Sequence, residues 1–491
     1  MLLLVAALVG AARTASAREP TRAELEERIR RLEEIIRAHG LDRLPPAPPS
    51  AGPAAAPPPA APAVAPPAAT ARPLDQPAVE AIVDDKLAKQ KPLAGWSDGF
   101  YLQSPNGDFR MKLRGYMQTQ ARNFVLENGD TGTDSVFMRR VRPVIEGTVY
   151  RWFDFKLMPS FDSGDPSLQD AYFEITYLKP WVSLRGGKDK VPMSLERLQS
   201  GADLLFPDRS IANNLSPNRD VGFRLAGDVG DGIFVWQAGV YDGVPDGLST
   251  NGNSTSDNEG VFRALVAPFR GSGVTPLEGA MAGFAATYGS QKEGDDLSAV
   301  RYRTPGRSTF FRYAASSDTS FAANGVNYRL DPQGYWYWGQ FGLMGEYIYS
   351  RQAVRKTTTG DAGTTIEDGS FANQGWFAQA SWVLTGEAAS YKGVVPKSPF
   401  DPLNGAWGAF ELAGRGSIVD VDPGLFRRGF AKRSQSTTRA TELGLGANWY
   451  FNKNFKLQAD WEHTTFANAI DFGGDLRDHE DVLLFQFQIQ Y

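Results

Sequence analysis

Hydrophobic and polar residues alternate with a period of two over most of the chain beyond residue 95. Phe109, Met111, Leu113 and Met117 alternate with Arg110, Lys112, Arg114, Tyr116, Gln118 and Gln120. Val141, Ile145 and Val149 alternate with Arg140, Arg142, Glu146 and Thr148, and Leu457, Ala459 and Trp461 with Lys456, Gln458, Asp460 and Glu462. At the end of the chain Leu483, Phe485, Phe487, Ile489 and Tyr491 alternate with Leu484, Gln486, Gln488 and Gln490. Successive strand side chains point to opposite faces, so each segment has one apolar and one polar face. A soluble sandwich alternates in the same way, but two features favour a membrane barrel. The polar faces carry many charges, and the apolar faces end in aromatics suited to interface girdles: Trp152, Phe153, Trp236, Tyr241, Trp449, Tyr450 and Phe451. The polar, glycine-rich stretches Pro245–Gly260 and Gln352–Asn373 are expected to be long extracellular loops. The 397 residues of 95–491 predict an all-β transmembrane barrel. At roughly 10 residues per strand plus connections, that barrel has about 16 antiparallel strands. A barrel of this size leaves an aqueous channel.

The N-terminal part has a different pattern. Met1–Ala12 is apolar and Ala15-Ser16-Ala17 supplies small residues at a cleavage position, which predicts a secretory signal peptide over 1–17. In 18–44, Leu25, Ile29, Leu32 and Ile36 follow the a/d spacing of a short coiled-coil helix, with Glu26–Arg30 and Glu27–Arg31 pairs on the wet face. Residues 45–77 hold 13 of the 32 prolines, interleaved with alanine, which predicts an extended, semi-rigid linker. A connector helix is expected over 78–94, with Val79, Val83 and Leu87 on one side.

Composition narrows the chemistry. The absence of cysteine excludes disulfide scaffolds, thiolate zinc sites and cysteine nucleophiles, and three histidines (His39, His463, His479) argue against a polyhistidine metal site. With 51 basic and 56 acidic residues the chain has no nucleic-acid signature. No apolar run reaches the roughly 18 residues of a membrane helix. Neither G-x-S-x-G nor H-E-x-x-H is present, and His479-Glu480-Asp481 is expected to be a turn before the last strand. No catalytic residue, cofactor or metal is therefore expected.

The segments 95–491 resemble the phosphate-selective porin family, the outer-membrane porins O and P. The matching runs include Gly99-Phe100-Tyr101-Leu102, Phe109 to Gly115, Phe137-Met-Arg-Arg140, Glu146-Gly-Thr148 and Asp170-Ala-Tyr172. They continue with Leu184-Arg-Gly-Gly-Lys188, Ser194-Leu-Glu196, Asp208-Arg-Ser210, Asp220-Val-Gly222, Leu384-Thr-Gly-Glu387 and Leu443-Gly-Leu-Gly446. The resemblance implies a 16-stranded homotrimeric porin with a loop folded into the pore and basic side chains guiding anions. It places Arg139 and Arg140 on paired arginines of the second long strand, Arg197 and Arg209 on basic positions near the constriction, and Asp170 on an acidic position that tempers binding. Where the family carries arginine after the first-strand glycine this chain has Tyr116, so Arg114 is expected to substitute. No lysine cluster on the later strands is matched.

Oxyanions are strongly hydrated, and arginine replaces their water with a fork of donors that never deprotonates. Lys188, Lys190, Arg197, Arg209 and Arg219 supply cations within 32 residues, and Arg142 adds one on the second strand. The barrel segment as a whole has 39 basic and 45 acidic residues, so only placement can make it anion-selective. Arg197 and Arg209, beside the Pro/Gly/Asn-rich stretch Gly201–Asn218, are expected to act most strongly, and Arg114 and Arg140 as weaker steering charges on the wall. The expected function is passive diffusion of small anions, phosphate or polyphosphate, across the bacterial outer membrane, with the N-terminal extension in the periplasm. Outer-membrane lipid and the cell wall, through the helix, are the expected partners beside the trimer. The alternatives are a general or cation-preferring porin, and a structural tether between outer membrane and cell wall.

Overall fold

A computed structural model of the chain describes residues 93–125, 134–162, 164–252, 258–292 and 294–491. The signal peptide, coiled-coil helix, linker and connector helix expected over 1–94 lie outside the described residues, save that Ala94 opens the first strand.

A short hairpin of β1 (Ala94–Trp96) and β2 (Phe100–Gln103) pairs with β3 (Arg110–Phe124). The barrel wall then runs through β4 (Ser135–Val149), β5 (Phe153–Ser160), β6 (Ser167–Ile175), β7 (Ser183–Lys190) and β8 (Arg219–Val229). It continues with β9 (Phe234–Tyr241), β10 (Glu259–Val266) and β11 (Ala280–Gln291). Between β11 and β15 (Gly325–Trp338) the chain forms a separate hairpin, β12 (Arg301–Arg303) with β13 (Thr309–Arg312), and then β14 (Thr319–Ala323), which pairs with β16 (Phe341–Gly360). The wall is completed by β17 (Gly363–Val383), β18 (Ala409–Asp420), β19 (Arg439–Asn452), β20 (Phe455–Asp471) and β21 (Leu476–Gln490). β11 pairs directly with β15, and β21 closes on β3 with Val482 opposite Phe124 and Gln490 opposite Tyr116. Sixteen antiparallel strands, β3–β11 and β15–β21, thus form a closed barrel, and closure removes the unpaired edges that hydrocarbon does not tolerate. Tyr491 finishes the seam: its amide donates to Gly115 O at 2.9 Å and its carbonyl accepts from Gly115 N at 2.8 Å. Gly115 leaves room for the terminal ring, since a Cβ there would lie 3.0 Å from the Tyr491 hydroxyl.

Burial is inverted relative to a soluble domain. Phe223 is 62% exposed and Phe487 48%, whereas Gln118, Gln120, Asp220 and Glu462 are fully buried. The alternation in the sequence therefore has the apolar face outward, as lipid requires.

Three expectations change. Gln352–Asn373 is a continuation of β16 and β17, paired from Gln352↔Phe371 to Gly360↔Gly363, so the polar stretch is a hairpin. Its threonines suit a strand, and its polarity follows from extending past the roughly 9–11 residues that hydrocarbon needs. Tyr241 and Tyr450 are inward, not in a girdle: Val240 faces out, and strand parity turns Tyr241 to the lumen, where its hydroxyl donates to Asp189 Oδ1 at 3.1 Å. Tyr450 likewise donates to Glu411 Oε2 at 2.7 Å. His479-Glu480-Asp481 lies within β21, and His463 Nδ1 meets Asp481 across the ladder.

The lumen is not empty. The segment between β11 and β15 folds over it, and Tyr302, Phe310, Phe311, Tyr313 and Phe321 pack with Phe371, Phe430, Phe466, Ile211 and Leu215 into an apolar core.

Candidate functional site in the lumen

The connection between β7 and β8, residues 191–218, is the loop folded into the pore. It holds a short helix, α1 (Leu195–Leu198), started by Ser194, whose hydroxyl accepts Arg197 N at 3.0 Å. Side chains of β3, β16, β18, β19 and β20 hold it. Glu346 on β16 accepts from Ser194 Oγ at 2.6 Å and Leu195 N at 2.7 Å. Glu442 on β19 accepts from Ile211 N at 2.7 Å. Gln118 on β3 donates to Gly201 O at 2.8 Å, and Lys456 on β20 donates to Leu204 O at 3.0 Å. Arg415, fully buried on β18, donates to Glu442, to Glu462 at 2.7 Å and to Asp208 O at 2.9 Å, with its guanidinium over the Phe206 ring. Backbone of a lumen loop cannot find a β-ladder, so wall side chains supply its partners.

The nine cations singled out in the sequence divide into two groups. Arg114, Arg139, Arg142 and Arg219 pair with Glu146, Asp208, Asp162 and Asp170 respectively. Asp170 also holds Lys156 at 2.7 Å. The other five form no ion pair among the described residues. Arg140 donates to Gln118 Oε1 at 2.6 Å, and Lys188 to Asn251 Oδ1. Lys190 donates to the carbonyls of Leu198 and Gln199. Arg197 donates to Asn213 O at 2.7 Å, and Arg209 to Glu196 O and Gln199 O, both at 2.8 Å. Carbonyl partners fix a guanidinium without cancelling its charge.

The geometry bears on two site expectations. Arg114 is held by Glu146, which accepts from its Nε and Nη2 at 2.7 and 2.8 Å. Tyr116 is buried, its hydroxyl accepting from Arg142 Nη1 at 3.2 Å. Arg140 is no steering charge of a wide lumen: it is only 2% exposed and lies beneath Pro207 of the loop. Arg197 and Arg209 stay part-exposed and join the two limbs of the loop. Burial and then the nearby charge of Arg209 bring the Arg197 guanidinium down to about 9, still cationic at neutral pH.

Between this loop and the end of the barrel that carries Tyr491 lies a cavity of about 1130 Å³. Among the described residues twelve cationic side chains line it against six acidic ones, so the lining is basic although the barrel sequence is acidic. Several of these cations were not singled out in the sequence. Lys112, Lys156, Arg185, Arg224, Arg263 and Lys456 come from the wall, and Lys392 and Lys453 from connections. Inward strand parity marks the wall residues; nothing in the pattern marks the connections. Asp203 is the loop's own carboxylate there, and burial raises it to about 6 against the pull of Lys456 and Lys190.

The hairpin of β12 and β13 contributes on the loop's other side. Its turn residue Arg307 lies 4.0 Å from Asp208, which Arg139 also holds. Against the upward push of burial, Arg139 and then Arg307 keep the Asp208 carboxyl well below the usual carboxylate range. Arg122 stands nearby with its Nε and Nη2 buried and without a hydrogen-bond partner among the described residues. The β11–β15 segment gave no sequence signal for this role, because its approach to the loop is purely tertiary.

Known proteins match this chain. The family described as phosphate-selective porin O and P matches residues 109–491. Porin O of Pseudomonas aeruginosa is 25% identical over 415 residues, covering 77% of this chain and 88% of that protein. Among solved structures, the outer-membrane channel DcaP of Acinetobacter baumannii aligns with TM-score 0.48 and 9% identity over 79% of this chain and 99% of that one. A loop L8 deletion mutant of OmpT from Vibrio cholerae aligns with TM-score 0.47 and 11% identity over 78% and 100%. The family match spans well over half of the chain and ends on the strand that closes the barrel, so this chain belongs to the phosphate-selective porin O and P family and is an outer-membrane porin.

Proposed function

We propose that this porin passes small anions, phosphate among them, along a path from the Arg122–Arg139–Arg307 side of the loop, past Arg197 and Arg209, to the cavity lined by Lys190 and Arg219. The observation that carries this is the second group of cations: five of the nine stand beside or within the loop without a carboxylate partner among the described residues, bound to carbonyls and amides. An anion crossing a low-dielectric constriction must exchange water for fixed donors, and there a charge pair is worth several-fold more than in bulk water. Arg197 and Arg209 are like charges held close together, so an anion between them relieves their repulsion as well as its own desolvation. Several moderate stations let the ion leave again. On this reading three copies form the working assembly, with residues 1–94 in the periplasm.

The test is the reversal potential of reconstituted channels in a potassium chloride gradient. Replacing Arg197 and Arg209 together by glutamine moves it toward cations, whereas Arg197→Lys, which keeps the charge and loses the fork, moves it much less. A wild-type channel that already prefers cations overturns the anion reading and leaves a general porin.

A further inference from the structure

One stretch of the lumen wall breaks the polar-in alternation. On four neighbouring strands the inward positions near the Tyr491 end are apolar: Val235 of β9 lies opposite Leu265 of β10, and Met281 of β11 opposite Tyr335 of β15. Gly283, opposite Leu265, has no side chain; a Cβ there would meet Leu265 Cδ2 at 2.5 Å, so the leucine lies across it. Tyr391, from the connection between β17 and β18, stacks on the Tyr335 ring with centroids 5.6 Å apart and planes at 21°. Leu265 and Met281 are buried and pack with Leu195 of the loop. Val235, Tyr335 and Tyr391 stay part-exposed on the cavity.

A cation stands at the edge of this patch. Arg263 is two residues before Leu265 on the same face, lines the same cavity, and donates its Nε to Gln333 Oε1 at 2.9 Å. It forms no ion pair among the described residues; Asp331 and Glu346 act on it only from beyond ion-pair distance. Lys392, next to Tyr391, lines the cavity too. The opposite wall is dominated by the ion pairs Arg114–Glu146, Lys156–Asp170 and Arg185–Glu174, with Tyr116, Val144 and Met158 buried among them and the Tyr172 ring covered by the Arg185 guanidinium.

A bare inorganic anion has no use for an aromatic ledge. Concave sites that combine apolar and aromatic surface with a few placed polar groups hold ligands with an apolar body and a polar head. The geometry points to a subsite for anions that carry an aromatic ring: the ring lies on Tyr335 and its neighbours, and the anionic head meets Arg263. This rests on the anion reading above and names a substrate class for it.

Single-channel recording in potassium chloride tests it, with phenyl phosphate and inorganic phosphate added separately as blockers of the chloride current. An aromatic contact is worth roughly a three- to tenfold change in occupancy. Phenyl phosphate is expected to half-block at a concentration lower by that factor than inorganic phosphate. Tyr335→Ser abolishes the difference without moving the reversal potential or the block by inorganic phosphate, and Tyr335→Phe keeps it. Equal block of the wild-type channel by the two probes overturns the subsite while leaving the anion reading intact, and needs no variant to fold. A difference that survives Tyr335→Ser overturns the assignment to this wall. A cation-preferring channel that neither probe blocks overturns both readings together.

Discussion

The two sides of the loop formed by 191–218 are built on opposite principles. Toward Tyr491 the lumen is a cavity of about 1130 Å³ lined by an excess of cations. Toward the other mouth it is packed with buried aromatics, among them Tyr302, Phe310, Phe311 and Phe430, all from segments that are not barrel wall. A sixteen-stranded barrel is too wide for its wall side chains to fill, so any packing in the lumen must be brought in by connections. Here the packed side supplies rigidity and the wet side supplies charge. The loop between them is fixed from both: Ile211 and Leu215 enter the aromatic core, and Glu346, Glu442 and Arg415 bind its backbone or its neighbours. The lesson is that the charged stations are held in place by contacts that carry no function of their own.

The largest expected effect on this comparison comes from removing the central clamp. Arg415→Met leaves Glu442 and Glu462 buried and facing each other, and breaking such a network costs about 3–5 kcal/mol. Urea unfolding of the reconstituted barrel should show the loss, together with noisier single-channel currents; an unchanged midpoint would mean that the clamp does not hold the loop.

Next is the aromatic side. Phe310 is fully buried, and Phe310→Ala should cost about 3 kcal/mol through lost burial and a residual cavity. Conductance should rise while the reversal potential stays, because no charge has moved. A change in selectivity without a change in stability would show that the two sides are not divided as described.

A smaller effect concerns pH. Burial raises Asp203 to about 6, so it is charged at neutral pH and takes up a proton as pH falls through that value. Because its folded-state value is raised, the stability linked to it is fully present below the ordinary carboxylate range and is lost as pH rises through about 6. The cavity becomes more cationic in acid, and anion preference measured by reversal potential should increase between about pH 7 and pH 5. Asp203→Asn should weaken that dependence.

The smallest effect is expected at Arg114, whose charge Glu146 already cancels. Arg114→Gln should change conductance only at low salt, where screening is weak, and leave the reversal potential alone. A large shift in selectivity would place Arg114 in the anion path after all.

Period-two alternation, joined to the charged polar faces, the aromatic ends of the apolar faces and the length of the region, was enough to give the barrel, about 16 strands, its lipid face and its closing strand ending at Tyr491. These are local properties: one residue's face follows from its neighbour's, and lipid outside settles which face is apolar. The presence of Arg139, Arg140, Arg197 and Arg209 was equally legible. Which of them keeps its charge was not. Arg139 finds Asp208 across 69 residues and Arg219 finds Asp170 across 49, whereas Arg197 and Arg209 meet only carbonyls among the described residues. The same holds for Gln352–Asn373, whose polarity matched a loop until pairing made it a hairpin, and for the arginine that β12 and β13 bring to Asp208. Periodicity acts over two or four residues of chain, but Coulomb interaction and packing act through space, so the path of the loops decided what the strands' pattern left open.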